Sequence, residues 1–558
     1  MPRLPGHFCL FLPHNIKKIH SLKKLPPFLL SVLTGLLLFA AWPVSPLTFL
    51  IFIAFIPLLW LERQGIRRKR FFGWVYLSMV IWNATTTWWI WNATAPGAIG
   101  AILANSLLMC IPWLGFHAVK RRLGDTAGYL SLVFFWLSFE YIHLQDWGLS
   151  WPWLTLGNVF STRTSWIQWY EYTGASGGSL WVMSVNILLF RFLWKKFKGG
   201  KFSRQFALYS ALALALPFIF SMLLTPSRKN TSNDQTGASP SHNNIVIVQP
   251  NIDPYEKLYT GSIEAQLHKL IRLSDSAIDS GTVLVVWPET ALYSEKGFLE
   301  DQLKQDFFLN SLWDFLHRHP NINLLSGLEA VRIFNERHSP SAQKIPGSPC
   351  YYESYNAAAL FDSSGPVSFY HKSRLVPGVE TLPPFLHILD SWFEKFGGTT
   401  TGYTGQTERT VLNTTNHTYH IAPAVCYESI YGEFMSRYVR NGANLIAIIT
   451  NDGWWGNTPG YSQHEYYARL RAVETRRWVI RSANTGVSCV IDPTGEIIAS
   501  RPWVATAFIR QPVPASNDLT FYVRYGDCIS KLALLLAILF IIWIIFTTIK
   551  TRNSWIRK

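Results

Sequence analysis

Three segments of the chain place a reactive side chain directly after a run of residues that favours a β-strand. The three side chains are the carboxylate of Glu289, the ammonium of Lys372 and the thiol of Cys426. A carboxylate can take the thiol proton as a general base, and the thiolate can attack a carbonyl and hold the acyl group as a thioester. A cation, helped by a backbone N–H, can stabilise the oxygen that becomes negative. The three residues therefore predict a site for cysteine-based acyl chemistry.

Each residue also has a plainer interpretation when it is taken alone. A glutamate after a strand is usually solvated, and a single lysine is usually a surface charge. A cysteine at the end of an apolar strand is most often a small buried hydrophobe. The residue types leave both interpretations open.

The chain offers no recognisable site for a metal ion or another cofactor. Its six cysteines include no Cys-x-x-Cys pair and show no regular spacing, which argues against a zinc site or a disulfide framework. His464 and Glu465 begin a His-Glu-x-x-His pattern, but Ala468 stands where the second histidine is needed. We therefore expect neither a metal nor a cofactor.

Residues 226–525 predict one globular α/β domain with a layered sheet, because β-branched runs alternate there with helix-like stretches. A polar linker over Ser227–Asn244 precedes the first run. The predicted strands are 245–248, 283–286, 322–325, 357–361 and 445–450, and the predicted helices are 262–280, 300–318 and 461–477.

The rest of the chain has the composition of a membrane protein. Only 15% of the 558 residues are charged, against roughly a quarter in average soluble domains. Eight apolar runs have close to the 20 or so residues with which a helix crosses a membrane. They occupy 26–43, 47–62, 71–91, 98–118, 126–145, 175–193, 205–224 and 529–548. We predict an α-helical membrane domain with seven helices in residues 1–225 and an eighth in residues 526–558.

The basic residues predict the orientation of these helices. They lie before the first run, after the second, fourth and sixth runs, and at the C-terminus; the clusters are Lys17–Lys24, Arg67–Arg70, Lys120–Arg122, Lys195–Lys201 and Lys550–Lys558. Because basic loops stay in the cytoplasm, seven crossings bring residues 226–525 to the outer, periplasmic side. The net charge of +16 lies in these clusters and not in a basic stripe, so we expect no nucleic-acid partner.

Gly174-Ala-Ser176-Gly-Gly178 matches the Gly-x-Ser-x-Gly pattern of serine hydrolases. It opens a predicted membrane helix, however, and does not follow a strand as that motif requires. Small residues in this setting favour close packing between helices.

The domain around Glu289, Lys372 and Cys426 resembles the nitrilase superfamily, in which Glu, Lys and Cys occur in this chain order. Asn451-Asp-Gly-Trp-Trp-Gly456 is similar to the Asn-Asp-Ala-Trp-Phe-Gly block of that superfamily. The resemblance implies a nitrilase-like layered fold, with Glu289 as general base, Lys372 as oxyanion stabiliser and Cys426 as nucleophile.

The whole chain also resembles one family of that superfamily, the apolipoprotein N-acyltransferases, which have about seven helices before this domain and one after it. The motifs Val248-Gln-Pro-Asn-Ile252, Leu375-Val-Pro-Gly-Val-Glu380 and Cys426-Tyr-Glu428 carry the resemblance. The family more often has Phe-Gly where this chain has Gly378-Val379. The residues that the resemblance adds to the active site are Glu380, Tyr427 and Glu428.

The resemblance implies a multi-pass acyltransferase of the bacterial inner membrane with its catalytic domain in the periplasm. That family moves a fatty acyl chain from a phospholipid, through a cysteine thioester, to the α-amino group of a lipoprotein's N-terminal diacylglyceryl-cysteine. The partners that we expect are a phospholipid donor, a diacylglyceryl-lipoprotein acceptor and the membrane.

Trp454 is a candidate to bind substrate where lipid reaches the site, although tryptophan is common at membrane interfaces in any case. Two other functions are weighed against acyl transfer. One is a membrane-anchored nitrilase-type amidase, which the multi-helix anchor disfavours because one helix is enough for a tether. The other is a non-catalytic binding or transport subunit, which the few charges in the predicted spans disfavour.

Overall fold

The computed structural model describes residues 25–145, 147–198, 204–225, 243–254, 263–381 and 402–556. Most of the predicted linker over 227–244, the basic cluster over 17–24 and Lys201 lie outside these ranges. The helices before the linker are α1 Pro27–Ala41, α2 Ile56–Arg63, α3 Arg68–Thr87, α4 Ile90–Ala93, α5 Ala95–His143, α6 Tyr170–Thr173, α7 Ala175–Phe197 and α8 Arg204–Leu224.

Among the described residues, several helices, three of them before the linker and one after it, have the length and composition that a membrane crossing requires. They are Ala95–His143, Ala175–Phe197, Arg204–Leu224 and Cys528–Ile549. Helix α5 contains the fourth and fifth predicted runs, which meet at Gly124, where φ is 84° and the helix is interrupted. The chain thus has several apolar helices, and the count of eight crossings stays a prediction.

The second predicted run, 47–62, is not one continuous helix. It forms a 3-10 helix over Thr48–Phe52 and then the short helix α2. Pro57 lacks the N–H that would continue the helix from the preceding turn. At the break, the Asn186 side chain accepts from Phe55 N at 2.8 Å and donates to Ile51 O at 2.8 Å. A buried amide on another helix therefore satisfies the backbone groups that the break leaves.

The predicted α/β region contains two β-sheets and the helices that cover them. The strands are β1 Asn244–Gln249, β2 Thr282–Val286, β3 Phe298–Leu299, β4 Asn323–Phe334, β5 Gln343–Lys344, β6 Tyr351–Phe361, β7 Ser368–His371, β8 Leu412–Asn413, β9 His420–Val425, β10 Leu445–Thr450, β11 Val479–Ala483, β12 Cys489–Ile491, β13 Ile497–Ser500 and β14 Ala507–Pro512. The helices are α9 Ile263–Ala277, α10 Asn310–Arg318, α11 Gly432–Arg440, α12 Pro459–Thr475, α13 Phe521–Tyr525 and α14 Cys528–Ile556.

The two sheets pack face to face, with helices on their outer sides. The first sheet has the order β14-β1-β2-β4-β6-β5, with β3 beside β4 and β7 beside β6; the second has the order β13-β12-β11-β10-β9-β8. Ile245 and Ile247 enter the core shared with the second sheet, whereas Val246 and Val248 enter the core under α9 and α10. Ser482 on β11 donates to Val248 O at 2.8 Å across the two sheets. This helix–sheet–sheet–helix arrangement confirms the predicted layered α/β fold.

One helix and two strands differ clearly from their predicted bounds. The helix expected over 300–318 begins only at Asn310, because a turn that Asp306 caps by accepting from Phe308 N precedes it. Strands β4 and β6 are longer than predicted, since they pair antiparallel from Leu324–Phe361 to Phe334–Tyr351 and extend beyond the apolar core.

Glycine backbones meet where the segment after α5 crosses the start of α7. A Cβ on Gly157 would overlap the carbonyl oxygen of Ala175, and a Cβ on Gly178 would lie 3.0 Å from Gly157 Cα. Ser176 is buried and donates to Asp527 Oδ1 at 2.7 Å. These contacts confirm that the small residues of this motif allow close packing.

We expect Gly157→Ala to lower the thermal unfolding temperature of the detergent-solubilised protein, because overpacking a rigid backbone contact costs about 1–3 kcal/mol. The control is Gly100→Ala in α5, where an added Cβ meets nothing within 4 Å. Tryptophan fluorescence during heating measures both variants. Equal unfolding temperatures for Gly157→Ala and the parent protein would show that the backbones do not cross this closely.

Candidate active site

The ends of strands from both sheets bring the three predicted residues into one buried group. Lys372 follows β7 directly, Cys426 follows β9 directly and Glu289 lies three residues after β2. All three side chains are buried. Strands β9 and β10 are parallel neighbours, so Asn451, directly after β10, reaches the same place.

Lys372 lies between two carboxylates. Its Nζ donates to Glu380 Oε1 at 2.8 Å and to Glu289 Oε1 at 3.4 Å. Burial by itself lowers the pKa of this ammonium, but Glu380 and Glu289 outweigh burial and raise the pKa well above its usual value. Lys372 is therefore a permanent cation, as an oxyanion stabiliser must be.

The oxygens of Glu289 have further donors that fix the direction of the side chain. Asn356 Nδ2 donates to Glu289 Oε1 at 2.8 Å, and the backbone N–H of Asn451 donates to Oε2 at 3.1 Å. The same Asn356 Nδ2 also lies 3.1 Å from Glu380 Oε1. Asn356 thus bridges the two carboxylates.

A tight turn returns Glu380 to the lysine eight residues before it. Glu380 N donates to Val376 O at 2.9 Å, and Glu380 Oε2 accepts from Val376 N at 2.8 Å. Gly378 has a φ of 79°, a conformation that glycine adopts at low cost. The Gly378-Val379 sequence therefore forms a turn that supports the predicted position of Glu380.

Cys426 occupies a strained position at the start of the 3-10 helix Cys426–Ile430. Its φ of 54° is uncommon for a residue with a side chain. The Cys426 carbonyl accepts from Ser429 Oγ at 2.9 Å and lies 3.1 Å from His464 Nε2. These contacts stabilise the turn that presents the thiol.

The electrostatics of the group keep the thiol neutral. Burial raises the pKa of the Cys426 thiol and Glu289 adds to the rise, whereas Lys372 lowers the pKa. The net pKa lies above the usual value for cysteine. Cys426 therefore needs a base to take its proton when a substrate arrives, and the charge of Glu289 is close enough to act on it.

A second buried network supports the turn at Cys426. His464 Nδ1 lies 3.0 Å from Asp452 Oδ1, and Asp452 Oδ2 accepts from Arg481 at 2.5 Å. Burial raises the pKa of Asp452, but Arg481 and His464 outweigh burial and lower it below the usual value. Sequence reasoning examined His464 only as a metal ligand. Asp452 belongs to the Asn451–Gly456 motif, so this motif is the part of the sequence from which the network could have been predicted.

The residues that the resemblance added take different positions. Glu380 belongs to the group around Lys372. Glu428 is fully buried and accepts at Oε1 from Tyr370 Oη at 2.6 Å and from Ser373 N at 2.7 Å, and at Oε2 from Val425 N at 2.8 Å. It therefore joins the segment after Lys372 to the strand before Cys426.

Tyr427 points from the nucleophile towards the loop after α5. Its hydroxyl donates to Ser150 O at 3.0 Å, and its ring stacks on Trp151 with centroids 5.7 Å apart. The candidate site and the helical part of the chain are thus in direct contact at Tyr427, one residue from the thiol of Cys426.

Trp454 has 43% of its surface exposed, and its substrate role stays a prediction. The adjacent Trp455 is more enclosed: its ring lies 4.7 Å from the ring of Trp89 and 5.7 Å from that of Trp153, between ring centroids. This aromatic group joins the catalytic domain to the helices.

Known proteins resemble both parts of the chain. The family described as Carbon-nitrogen hydrolase matches residues 244–511, and the Apolipoprotein N-acyltransferase N-terminal domain matches residues 34–188. A solved amidase from Nesterenkonia sp. is 18% identical, with 53% of this chain and 96% of that chain covered, at a TM-score of 0.34. A TM-score this low adds nothing to the assignment of this chain to a family.

Relatives match nearly the full length. The apolipoprotein N-acyltransferase of Chlorobaculum tepidum is 31% identical over 520 residues, which cover 91% of this chain and 94% of that protein. The apolipoprotein N-acyltransferase of Geobacter metallireducens is 26% identical over 541 residues, with 92% and 95% covered. The chain therefore belongs to the apolipoprotein N-acyltransferase family, and it is an acyltransferase with a carbon-nitrogen hydrolase domain and apolar helices, as its motifs predict.

Proposed function

We propose that this enzyme moves a fatty acyl chain from a phospholipid to the α-amino group of a lipoprotein's N-terminal diacylglyceryl-cysteine. The observation that carries the proposal is the buried group in which Lys372 lies between Glu289 and Glu380 and beside Cys426. The match to the N-terminal domain of the family over residues 34–188 favours this reaction over hydrolysis by a tethered amidase.

In the first half-reaction, Glu289 takes the proton from the Cys426 thiol as the sulfur attacks an ester carbonyl of the phospholipid. Lys372, together with a backbone N–H, stabilises the negative oxygen of the tetrahedral intermediate. When the intermediate collapses, the ester C–O bond breaks and the lyso-phospholipid oxygen takes the proton from Glu289. The acyl chain remains on sulfur as a thioester.

In the second half-reaction, the acceptor amine attacks the thioester carbonyl and Glu289 takes a proton from the nitrogen. The C–S bond then breaks, the amide forms, and the sulfur takes the proton back. Glu380 touches the substrate in neither step: it shares the ammonium of Lys372 and so leaves Glu289 less tightly paired.

We propose that residues 1–225 and 526–558 anchor the enzyme in the bacterial inner membrane and that residues 226–525 form the periplasmic catalytic domain. The direction of the helices supports this topology. Helix α3 begins at the exposed basic cluster Arg67–Arg70 and ends beside Trp89, which packs on Trp455. Helix α7 begins where Ala175 N donates to Glu474 Oε1 at 3.1 Å and ends at Lys195 and Lys196. The catalytic domain therefore contacts the ends opposite the basic residues, as positive-inside insertion requires.

The thioester can be tested directly. After incubation of the purified enzyme with phosphatidylethanolamine, we expect the intact mass to increase by one acyl chain, and hydroxylamine to remove the increase. Cys426→Ala should show no increase. Cys350→Ala is the matched control, because Cys350 is a free, partly buried cysteine of the same domain, and it should react like the parent enzyme. An adduct that persists in a folded Cys426→Ala enzyme would exclude Cys426 as the nucleophile.

The pH dependence of Cys426 alkylation tests the electrostatics of the site. Because the pKa of the thiol is raised and only the thiolate reacts, we expect the iodoacetamide rate to rise continuously from about pH 7 to about pH 10, beyond the usual thiol pKa. Lys372→Met removes the cation that lowers this pKa, so alkylation should be slower at each pH in that range. Mass spectrometry of the labelled peptides measures the rate at each cysteine.

The exposed Cys528 is the internal control in the same samples, and its rate should not depend on Lys372. A plateau near neutral pH at Cys426, or an unchanged profile in Lys372→Met, would contradict the assignment of charges.

A further inference from the structure

A groove lies along one face of the hairpin that β4 and β6 form. Its volume is about 850 Å³. The hairpin contributes the floor, and the segments around Leu299 and around Phe307 and Phe308 contribute the walls. The floor residues are Glu329, Val331 and Ile333 of β4 and Tyr352 and Ser354 of β6.

This floor lies on the strand face that also carries one residue of the candidate site, Asn356. In the hairpin register, Ile333 pairs with Tyr352, Val331 with Ser354 and Glu329 with Asn356. Alternate residues of a strand share one face, so Asn356 lies on the face that carries the groove. Its side chain donates to Glu289 and Glu380. Tyr352 lies four residues from Asn356 along β6. At about 3.4 Å per residue, the groove floor therefore extends roughly 14 Å from the catalytic group.

The walls combine exposed aromatic and polar side chains. Phe307 is 79% exposed and Phe308 is 50% exposed, and Gln302, Gln305 and Ser294 line the same groove. An acyl chain would leave the amides and hydroxyls without partners. A polypeptide offers both apolar side chains for the aromatic rings and backbone donors and acceptors for the polar groups.

The groove is lined by residues of the segment 294–354, and none of its lining residues belongs to the helical part. At Tyr427 the site contacts Ser150 and Trp151 of the helical part. Strands β4 and β6, which contribute the groove floor, lie instead in the first sheet. An acceptor whose lipid stays with the helices would therefore extend its polypeptide towards the hairpin.

We propose that this groove binds the polypeptide of the acyl acceptor immediately after its diacylglyceryl-cysteine. The proposal rests on the acyl transfer proposed above and adds a peptide subsite to it. The lipid and the polypeptide of one acceptor then contact different elements, the helical part and the β4–β6 pair, and the amine lies between them, near Cys426. The groove selects for an extended chain after the modified cysteine.

Two synthetic acceptors test the subsite: diacylglyceryl-cysteine followed by one residue, and diacylglyceryl-cysteine followed by six. For the full-length enzyme in detergent, we expect KM to be at least fivefold lower for the longer acceptor. Ile333→Arg places a long cation on the groove floor at a half-exposed position and should abolish most of that difference. Phe307→Ala, at a more exposed position, should reduce it.

The matched control is Ile498→Arg, which changes another half-exposed isoleucine, on β13 in the second sheet. It should keep the KM ratio of the parent enzyme. Equal KM values for the two acceptors in the parent enzyme, or variants that raise both KM values equally, would overturn the subsite. Absence of the Cys426 thioester in the parent enzyme would instead contradict the proposed function, since that step does not involve the acceptor.

Discussion

The catalytic domain must fold so that it pairs and hydrogen-bonds a buried ammonium between two carboxylates. Removing such charges from water costs several kcal/mol per ion unless they are paired and hydrogen-bonded. Lys372 pairs with one oxygen each of Glu289 and Glu380, and Asn356 donates to the same two oxygens. The remaining carboxylate oxygens accept from Asn451 N and from Val376 N. These donors come from β6, from the end of β10 and from the turn before Glu380. The charged group is therefore satisfied only when both sheets and this turn are complete.

The contact between the two parts of the chain has the character of a core and not of a tether. Trp42 Nε1 donates to Tyr467 Oη at 3.0 Å, and Trp153 Nε1 donates to Gln463 Oε1 at 2.7 Å. All four residues are buried. Exposing an acyl chain of about 15 carbons to water would cost on the order of 12 kcal/mol, at ~0.8 kcal/mol per CH₂. Lipid substrates therefore require a rigid contact between the two parts of the chain. The nucleophile has to be held where the lipid already is.

The sequence predicts which residues come together in the candidate site better than it predicts the lengths of the elements. Glu289, Lys372 and Cys426 follow strands whose apolar runs are visible in the chain, and local motifs surround each of them. The role of Asn356 has no such signal, because it depends on the pairing of β6 with β4 and on a carboxylate from a distant loop. The break in the second apolar run is hidden for a similar reason, since the amide that satisfies it belongs to Asn186 on α7. Long-range polar contacts decide both features, and periodicity within one segment does not record them.

Glu428 mechanically couples the two loops that carry Lys372 and Cys426. One of its carboxylate oxygens accepts from the backbone N–H groups of Ser373 and Arg374, and the other accepts from the N–H of Val425. The loop that carries the ammonium and the loop that carries the sulfur are thereby joined through one rigid side chain. When lipid or protein enters and the surroundings yield, the two loops must shift as a unit. The spacing between the ammonium of Lys372 and the thiol of Cys426 then stays constant as the surroundings move.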